Sequence, residues 1–119
     1  MIPYLKKLQI KRVVMSGWIY LLIAGVLEIG FASTLKLTQG FTKLVPTGIF
    51  IFFAVFSFYF LNKAAQTIPV GTAYAVWTGI GTFGTIIVGI IFYNEPSSIL
   101  RMFFLFTLIA SIVGLKLVS

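Results

Sequence analysis

The sequence predicts an all-α integral membrane protein of four transmembrane helices, and three observations carry that prediction. Of the 119 residues, 60% are hydrophobic and 9% charged, against roughly 45–50% and about 25% in globular chains; mean hydropathy is +1.10. Four apolar runs reach the roughly 20 residues that a helix needs to cross ~30 Å of hydrocarbon. No segment alternates as a membrane strand does, and a lone hairpin cannot close a barrel in lipid. A chain this short leaves no room for a soluble domain beside them.

The first span is expected from about Gly17 to Leu37, closed by the polar turn Thr38-Gln39-Gly40. The second starts near Pro46, a residue suited to a first helical turn, and runs to about Leu61. Asn62-Lys63 and Pro69 punctuate the loop after it. The third, Val70 to Phe92, is rich in glycine (Gly71, Gly79, Gly81, Gly84 and Gly89) and ends at Asn94-Glu95-Pro96. The fourth runs from Ile99 to Val118. Short connections impose an up-down-up-down bundle. Residues 1–14 form a basic arm and residues 15–119 the membrane domain.

Charge placement bears on orientation. The N-terminal side holds Lys6, Lys7, Lys11, Arg12, Lys63 and Lys116, and the opposite side Lys36, Lys43 and Arg101. Six against three favours an inside N-terminus by the positive-inside rule. Met15, directly before Ser16-Gly17-Trp18, is an alternative start. Without the first fourteen residues the count is two against three, a balance that permits insertion both ways. The expected location is the cell (plasma or inner) membrane, with several passes.

Composition also removes function classes. The net charge is +7, but the basic residues lie at the ends of apolar runs and form no stripe interleaved with aromatics in a soluble segment, so nucleic acid is not the expected partner. The apolar run after the arm is too long for a signal peptide. With no Cys, no His and two acidic residues, neither a metal site nor a cofactor is expected. No nucleophile–base pair or phosphate loop suggests an enzyme.

Glu28 is the twelfth residue of its 21-residue span, near the bilayer midplane. An acidic side chain there costs at least ~2.5 kcal/mol on insertion scales. No Lys or Arg lies at the same depth to partner it. Two uses fit, a proton carrier and a counter-charge for a cation; the alternative is a structural carboxylate bonded to neighbouring helices. Ala24, Gly25, Phe31, Ala32 and Leu35 share its helix face, and the small ones let a helix or ligand approach.

On the third helix Tyr74, Trp77, Thr78 and Gly81 share a face. Tyr and Trp at mid-span lie away from the interfacial belt; their faces attract organic cations, though plain packing is the competing reading. Ser57 is a weaker candidate, since an intramembrane Ser often bonds its own helix backbone. Gly79 and Gly81 read as a hinge or as close helix packing. Ala110 and Gly114 form a small-xxx-small pair suited to packing a dimer. Four helices and one membrane carboxylate give few walls for a cation site. Transporters commonly build such sites between oppositely oriented halves, and a second copy with its two-fold axis in the membrane plane supplies the missing half.

Several strings resemble the small multidrug resistance family. They are Gly25-Val-Leu-Glu28, Leu35-Lys36 and Gly40-Phe-Thr-Lys-Leu-Val-Pro46 in the first helix and loop, and Pro69-Val-Gly-Thr-Ala-Tyr-Ala-Val-Trp-Thr-Gly-Ile-Gly81 in the third helix. Gly114-Leu-Lys-Leu lies at the C-terminal end. The resemblance covers Met15 to Ser119 and leaves the arm outside.

It implies proton-coupled antiport of small organic cations by an antiparallel dimer in the lipid bilayer. By resemblance, Glu28 binds substrate and protons in competition, Tyr74 and Trp77 are aromatic site residues, Ser57 is a hydroxyl that orients the Glu, and Gly25 lines the site. The third helix is similar to that of guanidinium exporters. Those usually carry Trp three residues after the Glu, and exporters of quaternary ammonium compounds usually carry Gly; Phe31 keeps an aromatic wall without the indole N–H. Some members pair two unlike subunits, which the basic arm would suit. Outside transport, the competing expectation is a small membrane assembly subunit in which Glu28 is structural.

Overall fold

The computed structural model describes residues 2–118, which form α1 (Ile2–Leu35), α2 (Leu44–Ala65), α3 (Val70–Phe92) and α4 (Ile99–Val118), with a 3-10 turn (Lys36–Thr38) closing α1. All four helices are long and apolar enough to cross a membrane, and no strand occurs among the described residues. The third and fourth helices have the expected bounds.

α1 starts fifteen residues before the expected Gly17. Hydropathy falls off before Ser16, but helix propensity does not. Between Tyr4 and Met15 the chain has no Gly or Pro and is largely Leu, Lys, Gln and Arg, all good helix formers. Pro3 sits in the first turn, where its missing N–H costs nothing. The helix has 34 residues, about 51 Å at roughly 1.5 Å each.

α1 stops at Leu35, two residues short of the expected end, because Thr38 takes over the backbone. Its hydroxyl donates to the Leu35 carbonyl at 2.7 Å and accepts from the Phe41 N–H at 3.3 Å. Gln39, Gly40 and Phe41 then take positive φ of 48°, 71° and 65°, which turns the chain back toward α2. α2 outruns its expected end at Leu61 by four residues, since Asn62 and Lys63 are polar without breaking a helix. The Lys63 ammonium lies over the Tyr20 and Tyr59 rings at 5.7 and 5.4 Å.

α1 is the hub, packed along both α2 and α3, while the backbone of α4 approaches α3 alone. The buried core is small: Leu21 and Ala24 of α1, Ala64 and Ile68 around the end of α2, and Ala73, Val76 and Trp77 of α3. Outward faces of α2 and α4 are lined with Phe, Ile, Val and Leu, as lipid or a second membrane subunit requires. Contact between α1 and α3 is close because glycines alternate with bulky side chains. A methyl built on Gly25 would stand 2.6 Å from the Ile80 side chain, and one on Gly84 would collide with Ile29.

Candidate functional site

Glu28 leaves α1 toward α3 and lies across Gly81. A Cβ placed on Gly81 would coincide with the carboxyl group and stand 2.7 Å from Glu28 Cγ. Glycine here is a seat for a carboxylate. Glu28 Oε2 is buried and has no hydrogen-bond partner among the described residues. Buried polar atoms are almost always paired, so this carboxylate oxygen is free to take a partner beyond the described residues. It borders a cleft of 220 Å³ whose other walls are Ala32, Thr82, Thr85 and Ile86.

On the adjoining face of α1 a short relay ties three helices together. Trp77 Nε1 donates to Ser57 Oγ at 2.9 Å, and Ser57 Oγ donates to the Ala24 carbonyl at 2.7 Å. Ser57 is fully buried and Trp77 nearly so. The hydroxyl thus bonds a carbonyl 33 residues away on α1 and not its own helix, as the sequence reading weighed. Its recorded partners are the indole and that carbonyl, one turn before Glu28.

Around the relay stand the aromatics. Phe31 stacks on Phe58 at 6.2 Å, tilts against Trp77 at 6.4 Å and meets Phe50 edge-on at 5.5 Å. Tyr74 lies 5.5 Å from Trp77 but is 58% exposed, facing outward where a second chain or lipid would lie. Gly25 is buried against Ile80. Gly79 is buried against Ile112 of α4, and α3 passes through both Gly79 and Gly81 as unbroken helix. Ala110 is exposed, and a methyl on Gly114 would meet nothing within 4 Å. The structure brings Glu28 to Gly81 at the α1–α3 contact, groups Ser57, Trp77 and Phe31 on the adjoining face of α1, and leaves Tyr74, Ala110 and Gly114 on open faces.

Phe50, Phe58, Ser33 and Thr85 were not singled out by sequence reasoning. The first two complete the aromatic wall, and a count of Phe on α2 offers no way to choose them. Thr85 had a usable signal, four residues beyond Gly81 and so on the same face of α3.

A family model described as Small Multidrug Resistance protein matches residues 16–109. The chain belongs to the small multidrug resistance family. Among its relatives, a protein named "Guanidinium exporter" from Citrobacter freundii is 51% identical over 101 residues, 85% of this chain and 96% of the relative. A protein of the same name from Proteus vulgaris is 48% identical over 103 residues, 87% of this chain and 99% of the relative. Another from Salmonella typhi is 50% identical over 101 residues, with 85% and 96% covered. This small multidrug resistance protein is a multi-pass membrane protein. Gly25, Glu28, Phe31, Ser57, Tyr74 and Trp77 all fall inside the matched segment, whereas Ala110 and Gly114 follow it.

Proposed function

We propose that this protein exports small organic cations of the guanidinium type across the cell's inner membrane in exchange for protons, with Glu28 holding either a proton or the cation. The observation that carries the reading is the unpaired, buried Oε2 of Glu28 beside a cleft at the α1–α3 contact. A cation that reaches the carboxylate displaces the proton. One group therefore enforces exchange, because it cannot satisfy both at once. Phe31, Trp77 and Tyr74 supply aromatic faces that attract a planar or alkylated cation. The relay through Ser57 holds the Trp77 ring in place, a positioning role.

A single chain offers one carboxylate and a half-open site. Two copies in opposite orientations would bring two Glu28 carboxyls to one chamber, with the exposed Tyr74 of each facing it and Ala110 and Gly114 available for α4 packing. Residues 15–119 form the transporter unit and residues 1–14 an extension. The charge on that extension favours a second assembly, in which an unlike subunit of the same family takes the inverted place.

The test is proton release from the purified protein on adding guanidinium, then a quaternary ammonium ion, with Glu28→Gln as control. Release by guanidinium that vanishes in Glu28→Gln supports the reading. Release by the quaternary ion alone would move the substrate class. No release with either cation from a folded dimer would overturn the homodimeric exporter.

A further inference from the structure

The chain has two acidic residues, and both rest on glycines of one face of α3. Glu28 lies on Gly81, and Glu95, folded back from the loop after α3, lies on Gly89. The two glycines are eight residues apart, about 12 Å along the helix at roughly 1.5 Å per residue. Thr85 stands midway on the same face.

Two clefts lie between the carboxylates. One of 220 Å³ at Glu28 and a second of 150 Å³ reaching Glu95 share Ala32 and Thr85 as walls, so they adjoin along the groove between α1 and α3. Three buried side-chain oxygens border it without a hydrogen-bond partner among the described residues: Glu28 Oε2, Thr85 Oγ1 and Ser33 Oγ. Unpaired buried polar atoms call for a partner, and an ordered water is one that would satisfy them. With liquid water at about 30 Å³ per molecule, the groove has room for several, each needing two to four polar partners.

The mouth is framed by charge. Arg101 Nη2 lies 3.9 Å from Glu95 Oε1. Lys36 Nζ lies 5.1 Å over the Tyr93 ring, whose hydroxyl donates to the Ser33 carbonyl at 2.8 Å. Two cations against one carboxylate make the mouth a poor entrance for an organic cation, while a proton passes by exchange of hydrogen bonds without any ion crossing whole.

We propose that this groove is the proton route of the protomer, a water-filled path from Glu28 past Thr85 and Ser33 to Glu95, separate from the aromatic face that meets the substrate. The proposal rests on the exchange reading above. The proton leaving Glu28 passes to the first water, the chain of waters shifts one hydrogen bond along, and a proton emerges at Glu95 or in bulk water. Thr85 is a positioning residue that holds the middle water. The groove opens on the face opposite the N-terminus, so oppositely oriented copies would each open a route to a different side.

The experiment uses the full chain in proteoliposomes, with guanidinium-driven proton flux read by a pH dye. Thr85→Val, which keeps shape and removes the hydroxyl, is expected to slow flux at least about tenfold while guanidinium Kd stays within about twofold, and Thr85→Ser restores the rate. Flux at the wild-type rate in Thr85→Val would overturn the route and leave exchange at Glu28 standing. A rate and Kd that fall together, unrescued by Ser, would assign Thr85 to packing and also overturn it. No flux from the wild type would sink the exchange reading and the route with it. The chain has no cysteine, so Thr85→Cys gives an independent readout. Modification by a membrane-impermeant methanethiosulfonate supports the path, and an inert thiol refutes it.

Discussion

The Trp77 indole and the Ser57 hydroxyl are joined at 2.9 Å, and through that bond α3 is tied by way of α2 to the Ala24 carbonyl of α1. Both side chains are buried, so neither can trade this partner for water. Ser57→Ala leaves an indole N–H unpaired in the core, at a cost of about 1–3 kcal/mol. The expected outcome is a lower melting temperature in detergent together with weaker guanidinium binding. Trp77→Phe removes the other end, and a double-mutant cycle should give a coupling of roughly 0.5–3 kcal/mol between the two positions.

Gly81→Ala separates the fold from the site. Alanine favours helix over glycine by about 1 kcal/mol, yet its methyl would stand where the Glu28 carboxyl lies. The helix content should hold while guanidinium affinity falls by at least about tenfold, roughly 1.4 kcal/mol. Gly48→Ala, with open space around it, is the control and should leave binding unchanged. Circular dichroism and titration calorimetry on the same preparations check both.

On the proposed exchange, competition at one carboxyl fixes the sign of the pH dependence. Lowering pH populates protonated Glu28, which must lose that proton before a cation binds, so apparent guanidinium affinity falls as pH falls. Where Glu28 is mostly protonated the change approaches about tenfold per pH unit, the linkage limit for one proton. Glu28→Gln should bind weakly and show no such slope. Binding isotherms over a pH series read both.

Phe31 should set the breadth of substrates. Its ring touches Phe50, Phe58 and Trp77, so Phe31→Gly opens the wall. Transport should shift toward bulky quaternary ammonium ions, and stability should drop by about 3–5 kcal/mol. Phe31→Trp adds an N–H donor to the aromatic wall and should raise the ratio of guanidinium to tetramethylammonium transport. Counterflow in liposomes gives the ratio directly.

The bundle was legible in the sequence because lipid demands length and hydropathy together, and α3 begins after Pro69 and stops before Asn94, with α4 starting beyond Pro96. The start of α1 was not. Lys6 to Arg12 end an apolar run without ending a helix, and hydropathy reports only the first. Glu28 announced itself by the cost of its depth. The partner of Ser57 was hidden, because bonding to its own backbone is the local option and the Ala24 carbonyl comes within reach only once α1 and α2 are in register. Thr85 and Ser33 matter through a groove that exists only when α1 lies on the glycines of α3, and no single helix encodes that contact.

The length of α1 bears on how many working pairs a cell can hold. At about 51 Å this helix is roughly 20 Å longer than the ~30 Å hydrocarbon, and the excess would stand clear of it as a rod bearing Lys6, Lys7, Lys11 and Arg12. A copy inserted the other way up must send that rod through the bilayer, against the bias set by basic flanks. Under the proposed pairing of opposed copies, the two orientations would then arise in unequal numbers, and opposed pairs could be no more numerous than the scarcer one. Surplus copies would wait as unmatched halves, ready for any shorter relative that inserts the other way.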